Sequence, residues 1–279
     1  MIMSVTNVHL IYFSPTHTSR YVGEAIVRGI GLEEVKVSDL TYTSVDFSEI
    51  ATDTLTVVVL PVYAGHLPQL AVLRMASLHA TGAPAVAVVV YGNRAYEKSL
   101  AELDVFLSGK GFGVIAAGTF VGEHSYSTVS YPIASGRPNK NDLEEATDFG
   151  RRIRQKVENV AIAVSSLVVD VSRIRRPSQP LLPLLRFIYE VARLRKNGNP
   201  MPATPCVDES LCNHCGRCVM TCPNGAIMKG DECHTIPDRC IRCCACVKGC
   251  PQKARSFETP FAVLLSKYFK RQKHNRVIL

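Results

Sequence analysis

Eight of the chain's eleven cysteines form a repeated pattern within residues 212–251, in an arrangement suited to holding iron. Cys212, Cys215, Cys218 and Cys222 are followed by Pro223, and Cys240, Cys243, Cys246 and Cys250 by Pro251. The pattern C-x2-C-x2-C-x3-C-P therefore occurs twice in one segment. An iron–sulfur cube needs a thiolate at each of its four iron corners. Three closely spaced cysteines on a tight loop take three corners, and the fourth thiolate must arrive from another direction. A zinc site and a disulfide framework are the alternative readings of grouped cysteines. A repeated eight-cysteine match with a proline after each fourth cysteine disfavours both. Cys206, Cys233 and Cys244 lie outside the pattern and read as small buried or loop residues, with a redox role as the alternative.

This segment resembles a bacterial 2[4Fe–4S] ferredoxin domain. Its halves also correspond outside the cysteines, Gly225-Ala226-Ile227 answering Lys253-Ala254-Arg255, as expected of a duplicated half-module. In the bacterial pattern the fourth cysteine of each run ligates the other cluster. The resemblance thus implies Cys212, Cys215, Cys218 and Cys250 on one [4Fe–4S] cluster, and Cys240, Cys243, Cys246 and Cys222 on the second. Such domains bury little apolar surface, and the clusters act as their staples. Thiolate clusters belong in reducing compartments, which points to a cytoplasmic location.

A chain of 279 residues has room for about two domains, and the elements before residue 160 describe the other one. Residues 7–13 read as a buried strand, followed at once by Ser14-Pro15-Thr16-His17-Thr18-Ser19-Arg20 and a helical pattern over 21–30. A strand, a hydroxyl-rich turn and a helix start make an anion site, because the helix N-terminus offers unpaired N–H groups and the positive end of its dipole. A plain N-cap would also favour Ser and Thr, but four hydroxyls in this turn exceed what one cap needs. Residues 55–60 and 85–90 are near-continuous apolar runs, as in parallel strands covered on both faces. Helical patterns follow at 69–79 and 97–110, then a strand at 113–120 and a helix at 141–157 with Asp142 as its N-cap. Alternation of this kind predicts a doubly wound parallel sheet, with the ligand at the carboxyl ends of the strands. The loops at 14–19, 61–68 and 91–96 fall at that edge.

This half resembles flavodoxin-like domains, and most closely the group fused to a two-cluster ferredoxin that is often called the EFR1 family. The matching stretches are the turn at Ser14 to Ser19, Pro-Val-Tyr-Ala-Gly at 61–65 and Tyr-Gly-Asn-Arg-Ala-Tyr at 91–96. The expected fold is therefore an α/β flavodoxin-like doubly wound parallel sheet plus a small α+β 2[4Fe–4S] ferredoxin-like domain. The resemblance implies that Ser14, Thr16, Thr18 and Ser19 hold an FMN phosphate, with His17 a further donor. Backbone groups around Val62, Ala64, Gly65, Gly92 and Asn93 would line the isoalloxazine ring, and Tyr63, Tyr91 or Tyr96 would stack on it. One departure stands out: flavodoxins usually carry glycine where this chain has His17, and glycine takes a positive φ more readily than histidine. Glu123 and His124 follow the 113–120 strand and read either as proton donors to a flavin or substrate or as loop-ordering hydrogen bonders.

The expected segments are a flavodoxin-like domain at 1–159, a connecting helical and Pro-rich segment at 160–205, the ferredoxin domain at 206–258 and a basic amphipathic tail at 259–279. The start lacks a basic region followed by an apolar stretch, so no secretory signal is expected. The longest apolar run, 160–169, is short enough to be a core helix and too short to span a membrane. The net charge of +8 is concentrated. Between Arg173 and Lys196 seven bases face one acid, Glu190, and the tail adds Lys267, Lys270, Arg271, Lys273 and Arg276. These stretches read as solvated helix faces, as docking surfaces for an acidic redox partner, or as membrane-surface helices. No nucleic-acid module and no dinucleotide fingerprint is present. Three functions fit: electron transfer between FMN and two clusters, flavin-dependent reduction of a small substrate, and an iron–sulfur sensor or scaffold without flavin.

Overall fold

The structure is a computed structural model that describes residues 5–158, 163–198 and 201–279. In chain order the elements are β1 (Asn7–Tyr12), α1 (Thr18–Ile30), β2 (Glu34–Asp39), β3 (Thr54–Pro61), α2 (Gln69–Arg74) and β4 (Pro84–Tyr91). Then come α3 (Ser99–Gly109), β5 (Gly113–Val121), α4 (Lys140–Glu158) and α5 (Leu181–Lys196). The cysteine-rich part holds β6 (Cys206–Val207), α6 (Arg217–Met220), α7 (Ala245–Lys248) and β7 (Arg255–Ser256). Helix α8 (Pro260–Tyr268) and strand β8 (Arg276–Ile278) close the chain.

These elements form two compact units that interleave in sequence. One contains Met1–Gly122, Gly136–Pro177 and Lys273–Leu279; the other contains Glu123–Ser135 and Ser178–Gln272. The segment expected as a separate tail thus divides, α8 going to the second unit and β8 to the first. The apolar run at 160–169 lies partly outside the described residues, and its described part holds a single 3-10 turn at Val164–Ser166.

The first unit is a six-stranded sheet in the order β2-β1-β3-β4-β5-β8. β1 to β5 pair in parallel, and β8 joins β5 antiparallel at the edge. The order 2-1-3-4-5 is that of the flavodoxin-like doubly wound fold. β3 and β4 are buried along nearly their whole length, as their nearly continuous apolar content requires of strands covered on both faces. β2 escapes the sequence reading because charged and apolar residues mix in Glu-Val-Lys-Val-Ser-Asp, and most of it is exposed at the opposite edge. Asn139, rather than Asp142, caps α4. Its Oδ1 accepts the Asp142 N–H at 3.1 Å while the Asp142 carboxylate accepts the Asn139 N–H at 2.8 Å, a reciprocal capping box. Asp142 is also held by the buried Arg137 guanidinium.

Helices α1 and α4 pack on the same core, and glycine lets their backbones meet. A Cβ on Gly29 would lie 1.9 Å from the Thr147 carbonyl oxygen, and one on Gly150 would lie 2.1 Å from that of Ile26. Ile26, Ala146, Phe149 and Ile153 fill the core beside this crossing.

The second unit is held by little apolar packing. β6 and β7 pair antiparallel, while Ile133, Ala262, Leu265 and Phe269 form a small cluster with Tyr126, Leu184 and Phe187 packed on it. α5 leaves Leu181, Leu182, Leu185, Ile188 and Tyr189 exposed. Among the described residues no helix is long and apolar enough to cross a membrane.

Two outcomes follow. Gly150→Ala must push α1 and α4 apart, and denaturant unfolding of the variant is expected to show a loss of about 3 kcal/mol. His9 is 1% exposed, with Nε2 2.8 Å from Ser38 Oγ. Burial, assisted by Lys36, lowers its pKa from 6.5 to about 4. The unfolded chain therefore takes up the proton first as pH falls. The contribution is complete above about pH 6.5 and is lost on the way down to about pH 4, on the order of 3 kcal/mol in all. His9→Gln should flatten that slope in denaturant midpoints measured across the same range.

Candidate functional site

The cysteine segment folds as two copies of one backbone. Each run ends in a one-turn helix, α6 after Gly216 and α7 after Cys244. His214, Gly216 and Gly225 take φ of 52°, 71° and 59°, and their counterparts Arg242, Cys244 and Lys253 take 55°, 59° and 53°. The left-handed turns curl the two loops in the same way. Cys244 occupies a position that the first half gives to glycine, which accounts for this extra cysteine as part of the turn.

The fourth cysteine of each run lies with the other run. One pocket is lined by Cys212, Cys215, Cys218 and Cys250, together with Gly216, Pro251 and Arg255. Cys222 is instead an electrostatic neighbour of Cys240, Cys243 and Cys246. Burial pushes the Cys243 thiol up to about 12 and that of Cys246 to about 11, with Arg255 opposing the second shift. An apolar pocket of thiols resists ionisation on its own, and only a bound cation makes four thiolates stable there. The donor set fits iron–sulfur ligation.

Two side chains beside this cage are not evident from the motif. The donor atoms of Cys233, Cys212 and His214 lie within 4.8 Å of one another, and His214 Nδ1 is 3.1 Å from the Glu232 carboxylate. Cys206 is exposed on β6.

At the sheet edge, the turn after β1 distributes its hydroxyls unevenly. Ser14 is buried and works for the fold: its Oγ accepts the Arg20 N–H at 3.0 Å and its N–H donates to Thr41 Oγ1 at 2.9 Å. Ser19 is buried, its Oγ without a hydrogen-bond partner. Thr16 and Thr18 are half-buried and His17 is exposed, directly at the N-terminus of α1. His17 adopts φ 67°, the conformation that glycine would have supplied. Thr18 approaches Gly122 closely, a Cβ there lying 3.2 Å from its own.

The next two loops are also left-handed where they turn. Ala64 and Gly65 take φ of 52° and 88° between the paired Tyr63 and His66, and Asn93 takes 63°. Val62, Tyr63 and Gly92 are half-buried. Tyr91 and Tyr96 are core residues, 2% and 3% exposed, with their rings 5.6 Å apart edge to face. The Tyr96 hydroxyl donates to the Ile174 carbonyl at 2.7 Å. Of the three tyrosines proposed for ring stacking, Tyr63 alone keeps accessible surface. Asn93 is buried and its Oδ1 accepts the Lys273 N–H at 3.0 Å.

Glu123 and His124 belong to the cysteine-rich unit. Glu123 accepts a 2.6 Å hydrogen bond from Lys248 Nζ. His124 Nδ1 accepts the Tyr126 N–H at 3.0 Å, and its own N–H reaches the Ile133 carbonyl. Both therefore order the loop at 123–135.

Residues 205–228 match the family model described as a 4Fe-4S binding domain. No curated protein matches the chain. Solved structures similar to it include a flavodoxin from the domain Archaea, 17% identical over 55% of this chain and 99% of that one, TM-score 0.39. A flavodoxin of Streptococcus pneumoniae TIGR4 is 15% identical over 53% and 98%, TM-score 0.37. Rubredoxin oxygen:oxidoreductase of Desulfovibrio gigas is 12% identical over 56% and 37%, TM-score 0.37. Scores of this size carry no argument, and the flavodoxin-like fold rests on the strand order and parallel register. A flavodoxin-like sheet and a 4Fe–4S-binding segment in one chain fit electron transfer.

His17→Gly removes a side chain from a left-handed position and is expected to stabilise the sheet unit by about 1 kcal/mol in urea unfolding. A loss instead would mean that the ring, 6.2 Å from that of Tyr21, contributes more than the backbone costs.

Proposed function

We propose that this protein passes low-potential electrons between FMN and two [4Fe–4S] clusters, and so between a redox donor and an acceptor, as in the flavodoxin–ferredoxin fusion family it resembles. The observation that carries this reading is the exchange of fourth cysteines. Cys250 lies with Cys212, Cys215 and Cys218, and Cys222 with Cys240, Cys243 and Cys246. Four-thiolate groups with this crossing suit two cubes and do not suit two independent zinc knuckles.

The first turn of α1 supports FMN as the partner cofactor. Its N–H groups with Thr16, His17 and Thr18 would hold the phosphate. Ser14 and Ser19 act beneath the loop. The turns at Ala64, Gly65 and Asn93 would face the ring, with Tyr63 beside it. FMN, when bound, supplies pairwise or single electron exchange, whereas each cluster carries one electron. The exposed bases Arg186, Arg195 and Lys196 of α5 suit docking of an acidic redox protein, in a reducing compartment. The engagement of Glu123 and His124 in loop hydrogen bonds gives no support to a substrate-reducing site.

Anaerobic purification with iron, sulfide and flavin quantified per chain tests this reading. The expected result is about eight irons and one FMN; iron without flavin would remove the FMN half of the proposal. In a background with Cys240, Cys243 and Cys246 replaced by Ser, Cys250→Ser should release the remaining iron while Cys222→Ser retains it. The reverse outcome would refute the crossed ligation.

A further inference from the structure

The two half-modules differ in charge at a buried place. Ile227 of the first half is an apolar core residue, 3% exposed, and its counterpart in the second half is Arg255, 5% exposed on β7. A buried guanidinium is costly unless an opposite charge and hydrogen-bond acceptors surround it. Arg255 donates to Thr235 Oγ1 at 3.1 Å, to the Glu232 carbonyl oxygen at 2.5 Å and to Cys246 Sγ at 3.7 Å. Among the described residues no carboxylate pairs with it, so its counter-charge has to come from sulfur.

The same guanidinium serves the other ligand group. Arg255 lines the pocket of Cys212, Cys215, Cys218 and Cys250. Burial raises the Cys218 thiol, and the charge and hydrogen bond of Arg255 oppose that rise. One side chain therefore donates to Cys246 of one group and lines the pocket that holds Cys218 of the other. Arginine suits such a place because its planar fork carries several N–H donors and never gives up its charge.

We propose that Arg255 is a shared potential-setting residue, donating to Cys246 of one cluster and placing its charge against the pocket of the other, and so raising both reduction potentials. The inference rests on the two-cluster reading. A cube held by four thiolates is negative overall, and one-electron reduction makes it more so. A fixed positive charge with N–H donors at sulfur stabilises the reduced form more than the oxidised one. Arg255 binds no substrate and transfers no electron in this scheme; it acts through Cys246 and through its charge beside the other ligand group.

Redox titration followed by electron paramagnetic resonance tests the proposal on the full chain, with iron counted in every sample. Arg255→Ile, which installs the residue type of the first half, is expected to keep about eight irons. Both midpoints should move to more negative values, by about tenfold in each one-electron equilibrium, or ~59 mV. Arg255→Lys keeps the charge but loses the fork, and its shifts should be smaller. Full iron content with either midpoint unmoved in Arg255→Ile overturns the proposal. If the variants lose iron, the wild type labelled with ¹⁵N in its arginine side chains decides. Hyperfine spectra of the reduced protein should show ¹⁵N coupling at both clusters, and coupling at one or neither overturns the idea. A wild type holding about four irons fails the two-cluster reading itself and removes the shared role with it.

Discussion

The thiols of Cys243 and Cys246 are buried where a free thiolate is disfavoured, and a guanidinium is buried next to Cys246 with no carboxylate paired to it among the described residues. Neither arrangement is stable alone. Sulfur needs a cation before it can ionise in an apolar pocket, and Arg255 needs negative sulfur before its own burial is tolerable. Iron–sulfur ligation satisfies both at once. The apolar packing of this unit is small, so its order depends on that ligation much as zinc-dependent modules depend on their metal.

The sheet unit obeys a different constraint. Its central strands are apolar on both faces and must be covered by helices, and the backbone contact of α1 with α4 through Gly29 and Gly150 draws that cover tight. Tight cover fixes where α1 begins, and so where Thr16, His17 and Thr18 stand. The left-handed conformation of His17 is a local cost accepted to keep the turn after β1 short. Rigid strands thereby place three loops at one edge without a dedicated framework.

Much of this was legible in the sequence because the signals were local. Residues 7–13, 55–60, 85–90 and 113–120 are predominantly apolar, nearly continuously so at 55–60 and 85–90, and each became a strand of the sheet. The cysteine repeat announced its own spacing. What escaped depended on partners far away in sequence. β2 and β8 have mixed compositions and acquire strand character only by pairing with β1 and β5. Asp142 carries the signature of a cap, yet Asn139 holds that position because the helix starts earlier. Tyr91 and Tyr96 look like ring-stacking residues from their loop, but their burial could be known only from the core they fill. The role of Ser14 was hidden for a similar reason, since its partners are Arg20 and Thr41. Arg255 was read only as the counterpart of Ile227 in the duplicated half, and nothing in the sequence showed that it lies against both ligand groups.

The pairing of β8 with β5 has a consequence for how the chain is made. β5 ends at Val121, and the strand that covers its open edge begins only at Arg276, after the whole cysteine-rich unit has been synthesised. While the ribosome is still producing the cysteines, the nascent sheet presents an unprotected strand edge, the kind of surface that invites unwanted pairing. Closure of the sheet therefore waits on residues made after the cysteine-rich segment. A nick between α4 and β8 would leave β8 held to the sheet by its pairing with β5, by the hydrogen bonds of Lys273 and Asn275 and by the packing of Val277, with no peptide link left.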